Sequence, residues 1–314
     1  MKDLLRFTDL SSVDLSGLVA FADDMRRHPR RACRELAGEL VVLYLTQPST
    51  RARVTFSAAA ARLGASVVVV GPTEFQLGCG ASVDAIARTV SLYAGVVVAR
   101  TDDHNLVRLA GESTIPVVNG LSDRDQPCQG IADAIAIADA VSTLDGLRIA
   151  FVGDGANMAM SLLEMSGLGA ELAVATPPDH ALDPAVLRDA RRLAERAGGT
   201  VTEARSADQA VAAADAVYLS PRHCAAPGHM GEMPGLTGAT EAVDRLLAPA
   251  AAHAPLLVCQ PTRLAGHVAR DLVRHPRSRL RQQADNRIYA AAAMLVAAHQ
   301  GRLEGVDDRA LAAV

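Results

Sequence analysis

Leu40-Val41-Val42-Leu43-Tyr44-Leu45-Thr46-Gln47-Pro48-Ser49-Thr50-Arg51-Ala52-Arg53-Val54-Thr55-Phe56 is the stretch on which the fold turns. Leu40 to Leu45 is a short, wholly apolar run, the pattern of a strand buried on both faces. Val54 to Leu63 reads as a helix closed by Gly64. Between them, Ser49, Thr50, Arg51 and Arg53 set two hydroxyls and two guanidinium groups where a strand hands over to a helix. The first turn of a helix carries unpaired N–H groups and the positive end of the dipole. With Arg51 beside it, a planar five-donor cation, the junction suits a phosphate. A Ser cap followed by two surface arginines is the plainer reading of the same residues.

The pattern repeats outward. Val67 to Val70, Gly95 to Ala99 and Ile115 to Gly120 are further strand-like runs, and Ser82 to Tyr93 has Val83, Ile86, Ala87 and Val90 at helical spacing behind a Ser cap. Ile131 to Thr143 is apolar nearly all round and reads as a helix buried between two bodies. After the Asp145-Gly146 turn a second set of strands begins: Leu147 to Val152, Leu172 to Ala175, Ala216 to Leu219 and Leu256 to Cys259. Leu182 to Arg196 is an amphipathic helix ended by Gly198-Gly199, and Ala290 to His299 is a late apolar helix suited to packing on the first domain. Strands alternating with helices mean parallel sheets covered on both faces. The fold class expected is therefore α/β: two domains, each a parallel sheet flanked by helices, joined by interdomain helices. The boundaries expected are 1–130, with about 287–314 packing back on it, and 145–285.

The chain has 314 residues, half of them hydrophobic, with no Trp. Ala, Val and Leu must do the packing, which favours close helix-on-sheet layers. A net charge of −4 gives no sign of a nucleic-acid or anionic-membrane partner. The N-terminus lacks the apolar core of a signal peptide, and no apolar run approaches the ~20 residues that cross a bilayer. Cysteines 33, 79, 128, 224 and 259 are odd in number and scattered, with no Cys-x-x-Cys pair, so neither a disulfide framework nor a zinc site is expected. A reducing cytoplasm is the simplest location.

Several other motifs bear chemistry. Arg100 ends an apolar strand, and strand C-termini of parallel sheets face the ligand crevice. Asp125-Gln126-Pro127-Cys128-Gln129 places amides between a strand and the buried helix, either for a polar ligand or as a plain helix start. Gly153-Asp154-Gly155-Ala156-Asn157-Met158 invites a dinucleotide reading, but Met158 stands where the pattern needs its third Gly. Contact to a small ligand through Asn157 fits better. Cys259-Gln260-Pro261 ends the last strand, and a lone Cys there is more often a small hydrophobe than a nucleophile.

In order, these motifs resemble the aspartate and ornithine carbamoyltransferase family, nearest to its ornithine branch, from about Leu43 to the last helix. Ser49-Thr50-Arg51-Ala52-Arg53 is similar to the family's Ser-Thr-Arg-Thr-Arg loop. Gln76-Leu77-Gly78 with Ser82 resembles the loop those enzymes lend to a neighbouring subunit, and Arg100-Thr101 through His104 resembles their Arg-Thr…His strand end. Asp125 to Gln129 stands for His-Pro-Cys-Gln, Gly153 to Asn157 with Ser161 for Gly-Asp-Gly-x-Asn…Ser, Cys259-Gln260-Pro261 for His-Cys-Leu-Pro, and Asp285-Asn286-Arg287 for Glu-Asn-Arg.

The resemblance implies attack of an amine on the carbonyl of carbamoyl phosphate, with phosphate leaving and with no metal or redox cofactor. It implies that Ser49, Thr50 and Arg51 hold the phosphate and that Arg100 bridges phosphate and carbonyl oxygen. Gln129 and the carbonyls of Cys259 and Gln260 would hold the carbamoyl NH₂, and Arg287 would polarise the carbonyl. Gln76 would reach the phosphate from an adjacent subunit of a homotrimer. The chain departs from the pattern at four places. Ala52 replaces a Thr and Gln126 a His, each a donor near the substrate carbonyl, and Gln260 replaces a Leu. In the acceptor motif Ser220 falls at the position of an Asp and Cys224 at that of a Ser, so an ornithine ammonium loses its carboxylate. Arg222 or His223 would hold an acceptor carboxylate instead. The expectation is carbamoyl transfer to an amino-acid-like amine other than ornithine; the alternative is a catalytically silent paralogue that binds an anion as a structural or regulatory subunit.

Overall fold

The computed structural model describes residues 3–29, 34–71, 82–141, 146–220, 239–259 and 272–301. Two compact units emerge: residues 1–132 with 286–313, and residues 133–285. Each holds an all-parallel sheet, as the alternation of strands and helices requires.

In the first unit the strands are β1 (Leu40–Leu45), β2 (Ser66–Val70), β3 (Val96–Arg100) and β4 (Val117–Leu121), in the order β2-β1-β3-β4. The chain steps from β1 out to β2 and then returns to the other side of β1, so the order reverses between β1 and β3. Around the sheet lie α1 (Ser12–Arg27), α2 (Thr50–Arg62), α3 (Val83–Val90), α4 (Asp103–Glu112) and the start of α5 (Pro127–Ala138). Val42, Tyr44, Val97 and Ala99 pack with Ile86, Leu106 and Leu109 as one buried cluster. The N-terminal segment extends the sheet, with Leu4 N–H donating to Val117 O and Asn119 N–H to Leu4 O.

The second unit has β5 (Arg148–Gly153), β6 (Glu171–Ala175), β7 (Thr200–Glu203), β8 (Ala216–Ser220) and β9 (Leu256–Val258), in the order β7-β6-β5-β8-β9. Its helices are α6 (Gly155–Ser166), α7 (Pro184–Ala197), α8 (Ala207–Val211), α9 (Ala239–Leu247) and α10 (Leu280–Asp285). At its centre the rings of Phe151 and Tyr218 stack with centroids 4.6 Å apart. Gln283 closes the outer edge of β9: its Oε1 accepts from Val258 N–H and its Nε2 donates to Val258 O and to Asp133 Oδ1. Helix α11 (Arg287–Gln300) belongs to the first unit, where it packs against α1 and α2.

Three differences from the sequence reading have physical causes. Helix α2 begins at Thr50, not Val54, because Ser49 Oγ accepts the Ala52 N–H and caps it. Helix α5 begins at Pro127 and stops at Ala138, with Pro at the first helical position, where its missing N–H costs nothing. Strand β7 was not foreseen because Thr200-Val201-Thr202-Glu203 is a polar edge strand with only Val201 buried. Of the five cysteines, Cys128 and Cys259 lie within the described residues, both as buried thiols. No described helix is long and apolar enough to cross a membrane.

Candidate functional site

The reversal between β1 and β3 opens a crevice at the C-terminal ends of those strands, where open parallel sheets bind ligands. The main chain ties the two ends together. Leu45 is in register with Arg100, and Thr46 donates to Arg100 O through both its N–H (3.0 Å) and its Oγ1 (3.1 Å). The start of α2 and the end of β3 are therefore held side by side. Ala52, the departure in this loop, is buried in the first turn of α2.

Three arginines meet here, all from the first unit. The Arg51 guanidinium has a pKa below the usual arginine value, through desolvation first, then through the charges of Arg287 and Arg100. Arg100 is lowered in the same way, by desolvation and then by Arg287. Among the described residues neither Arg100 nor Arg287 forms an ion pair with a carboxylate. Like charges gathered at one strand end form a pocket for an anion.

Arg287 is buried at the start of α11 and donates through Nη1 to Gln129 Oε1, while its Nε has no hydrogen-bond partner. Gln129 and Gln126 are both buried at the start of α5. Cys128 Sγ contacts Arg287 O at 3.4 Å and Asn286 Nδ2 donates to Ala132 O at 3.3 Å, so α11 is pinned to α5 at both residues. Asp125, next to Gln126, is the most perturbed carboxyl among the described residues of this unit, with no sequence signal that marks it. Burial pushes its pKa up to about 7 against the N–H donors of Phe7 and Gln126, with Asp9 raising it further and Arg6 lowering it. Its Oδ2 accepts from Phe7 N–H at 2.8 Å, and Oδ1 has no partner.

In the second unit the strand ends of β5 and β8 are cross-tied. Asp154 N–H donates to Ser220 O (2.9 Å) and Ser220 Oγ donates to Asp154 O (2.6 Å). Gly153 has φ +122°, and a Cβ there would lie 2.1 Å from Ser220 O. A Cβ on Gly155 would lie 2.4 Å from Leu182 N. These glycines thus let backbone meet backbone. Asn157 lies in the first turn of α6; its side chain is outside the described residues. Cys259 N–H donates to Leu219 O, and its thiol is fully buried. Burial and then Asp133 push that thiol far above its usual range, and the nearby hydroxyls of Ser161 and Ser220 lower it by less, so it offers no thiolate. Gln76, Arg222, Cys224 and Gln260 lie outside the described residues.

Residues 2–139 match the carbamoyl-P binding domain of the aspartate/ornithine carbamoyltransferase family, and residues 145–298 match its Asp/Orn binding domain. The chain is 34% identical over 315 residues to an ornithine carbamoyltransferase of Methanoculleus marisnigri, covering 98% of this chain and 99% of that one. It is 31% identical over 300 residues to the enzyme of that name from Anoxybacillus flavithermus, covering 94% and 96%. Among solved structures, the ornithine carbamoyltransferase of Pyrococcus furiosus superposes with a TM-score of 0.78 at 28% identity, covering 96% and 97% of the two chains.

Proposed function

The chain belongs to the aspartate/ornithine carbamoyltransferase family, and on that premise we propose that it moves the carbamoyl group of carbamoyl phosphate to the amine of an amino-acid-like acceptor that is not ornithine. The single observation that carries the reading is the gathering of Arg51, Arg100 and Arg287 at the first turn of α2, where Arg287 and Arg100 lower the proton affinity of Arg51 and Arg287 lowers that of Arg100. A phosphate dianion relieves that repulsion. It binds as part of the donor and leaves as the product.

Ser49, Thr50 and Arg51 hold the phosphate in this reading, and Arg100 lies between phosphate and carbonyl oxygen. Gln129, already bound to Arg287, turns its amide toward the carbamoyl NH₂, with the carbonyls of Cys259 and Gln260 as further acceptors. Arg287 Nε supplies a donor for the carbonyl oxygen. The amine lone pair attacks the carbonyl carbon, the C–O bond to phosphate breaks with its electron pair leaving on phosphate, and the ammonium proton passes to phosphate or solvent. The chemistry rests on positioning and charge stabilisation. Gln126 donates a neutral hydrogen bond where the family has a His.

The acceptor differs because Ser220 takes the place of a carboxylate, and its buried hydroxyl is already committed to Asp154 O. Asn157, Arg222 and Cys224 are the remaining acceptor contacts we assign. Gln76 completes the phosphate site from a neighbouring subunit of a homotrimer, and the enzyme works in the cytoplasm. The test is phosphate release from carbamoyl phosphate across a panel of amines. Release with several amines but little with ornithine is expected; binding of carbamoyl phosphate without release under any amine would contradict the reading.

Ala52 and Gln126 favour a second reading, a paralogue that binds carbamoyl phosphate without turning it over. Ala52 removes an oxyanion-type donor and Gln126 replaces another with a neutral one, and losing one such donor costs roughly 2.7–4 kcal/mol of barrier. Calorimetric binding with no phosphate release would select it.

A further inference from the structure

The N-terminal segment meets the turn between β4 and α5 at Asp125. Asn119 Nδ2 donates to Leu5 O (2.7 Å) and Phe7 N–H donates to Asp125 Oδ2 (2.8 Å). The turn is closed on Ser122, whose N–H donates to Asp125 O (3.0 Å) and whose Oγ accepts from Asp125 N–H (3.1 Å). The next residue opens the helix, since Gln126 O accepts from Gln129 N–H (2.8 Å) and Gly130 N–H (3.3 Å). Gln129 in turn holds Arg287. Asp125, Gln126 and Gln129 are all buried. One carboxyl group thus joins Phe7 to the residue whose carbonyl starts α5.

A negative charge on this carboxyl is poorly served. Its Oδ1 has no hydrogen-bond partner. Of the charged groups that face it, Asp9 repels a carboxylate and Arg6 attracts one. Arg6 is held on Asp103 of α4 at 2.7 Å, which Arg124 also approaches at 3.9 Å, so its charge is shared. A buried ion with one oxygen left unserved gives way to the neutral acid, and the proton leaves only near pH 7.

We propose that Asp125 is a positioning residue of the donor site: it fastens the N-terminal segment to the turn that opens α5, and so holds Gln126 and Gln129 in place for carbamoyl phosphate. The inference rests on the proposed reading that Gln126, Gln129 and Arg287 meet the carbamoyl group. The neutral carboxyl is compatible with its burial. The ionised one is relieved by a local opening that admits water to Oδ1, and that opening loosens Phe7 and the first turn of α5. Donor binding therefore weakens as pH rises through about 7, and bound donor favours the protonated carboxyl.

The test measures carbamoyl phosphate binding to the full chain by calorimetry at pH 6 and pH 8, beside hydrogen exchange of the Gln129 and Gly130 amides. Asp125→Asn, an isostere of the neutral acid, is the reference, so that titration of the ligand itself and intrinsic exchange rates cancel in the comparison. With only the closed form binding, the dissociation constant of the unaltered chain should rise about tenfold more than that of Asp125→Asn between the two pH values. The two amides should lose protection over the same range in the unaltered chain alone. Asp9→Asn, at an exposed position, should move both changes to lower pH, because it removes a charge that favours the proton. Parallel pH profiles of affinity would overturn the proposal. So would a loss of affinity with unchanged amide protection, since Asp125 would then act by its charge alone and not by placing α5. Absence of carbamoyl phosphate binding in every protein, with the amide changes as described, would overturn the donor reading and leave the fastening of α5 by Asp125 standing.

Discussion

Arg287 donates through Nη1 to Gln129 Oε1, joining the first residue of α11 to the first turn of α5, 158 positions apart in sequence. Both side chains are buried, so neither can exchange this partner for bulk water. The bond orients the Gln129 amide and restrains the guanidinium that presses on Arg51 and Arg100.

Gln129→Met removes the acceptor and leaves a buried guanidinium short of a partner. Hydrogen bonds to charged groups are worth about 1.5–3 kcal/mol, and urea unfolding should show a loss of that size. Gln129→Glu, which keeps an acceptor, should restore most of it. Equal loss in both variants would mean that the pairing contributes little.

Relief of charge crowding gives the opposite sign. Arg51→Met should weaken carbamoyl phosphate binding by roughly 10- to 100-fold through lost charge-assisted bonds. The same change should leave unfolding stability unchanged or raise it by up to about 1 kcal/mol. A clear fall in stability would mean that Arg51 is held by the fold and not for a ligand.

Asp125 makes stability depend on pH. Its folded-state pKa of about 7 lies above the ordinary value of 3.8. The native chain therefore keeps a proton that the unfolded chain has released between these values. This contribution is largest at the acid end of the window, falls as pH rises from about 4 to 7, and leaves a cost of a few kcal/mol, on the order of the shift itself, above pH 7. Asp125→Asn, which can still accept from Phe7 N–H, should be the more stable protein at pH 8 and should flatten the profile. Identical pH profiles for the two proteins would exclude a raised Asp125.

Much of this arrangement was legible in the sequence. Parallel α/β layering follows from runs such as Leu40 to Leu45, and the strand-to-helix junction at Ser49 to Arg53 follows from cap chemistry. The Arg287–Gln129 bond could not be read, because no local pattern reports a pairing between elements so far apart in the chain. The same holds for Asp125 and Phe7, joined across 118 positions. Met158 already speaks against a dinucleotide role for the Gly153–Gly155 turn, and the approach of Leu182 to Gly155, which no local pattern reports, shows that this glycine serves backbone packing. Ser220 looked like an acceptor contact from its position in the motif, yet its hydroxyl turns back to Asp154 O.

Ala52 and Gln126 can be tested together. Ala52→Thr places a β-branched residue at a buried helical position and should cost about 1 kcal/mol or more of stability. If missing donors limit the rate, Ala52→Thr with Gln126→His should speed phosphate release by at least tenfold with whichever amine is used. A slower double variant would show that the present residues are fitted to the acceptor this chain uses.

Titration of carbamoyl phosphate into the full chain at low ionic strength, repeated with Arg51→Ala and Arg100→Ala, bears on the pocket itself. One site per chain is predicted, weakened by added salt and by at least about tenfold in each variant. Absence of binding, or binding that both substitutions leave untouched, would contradict an anion pocket formed by Arg51, Arg100 and Arg287.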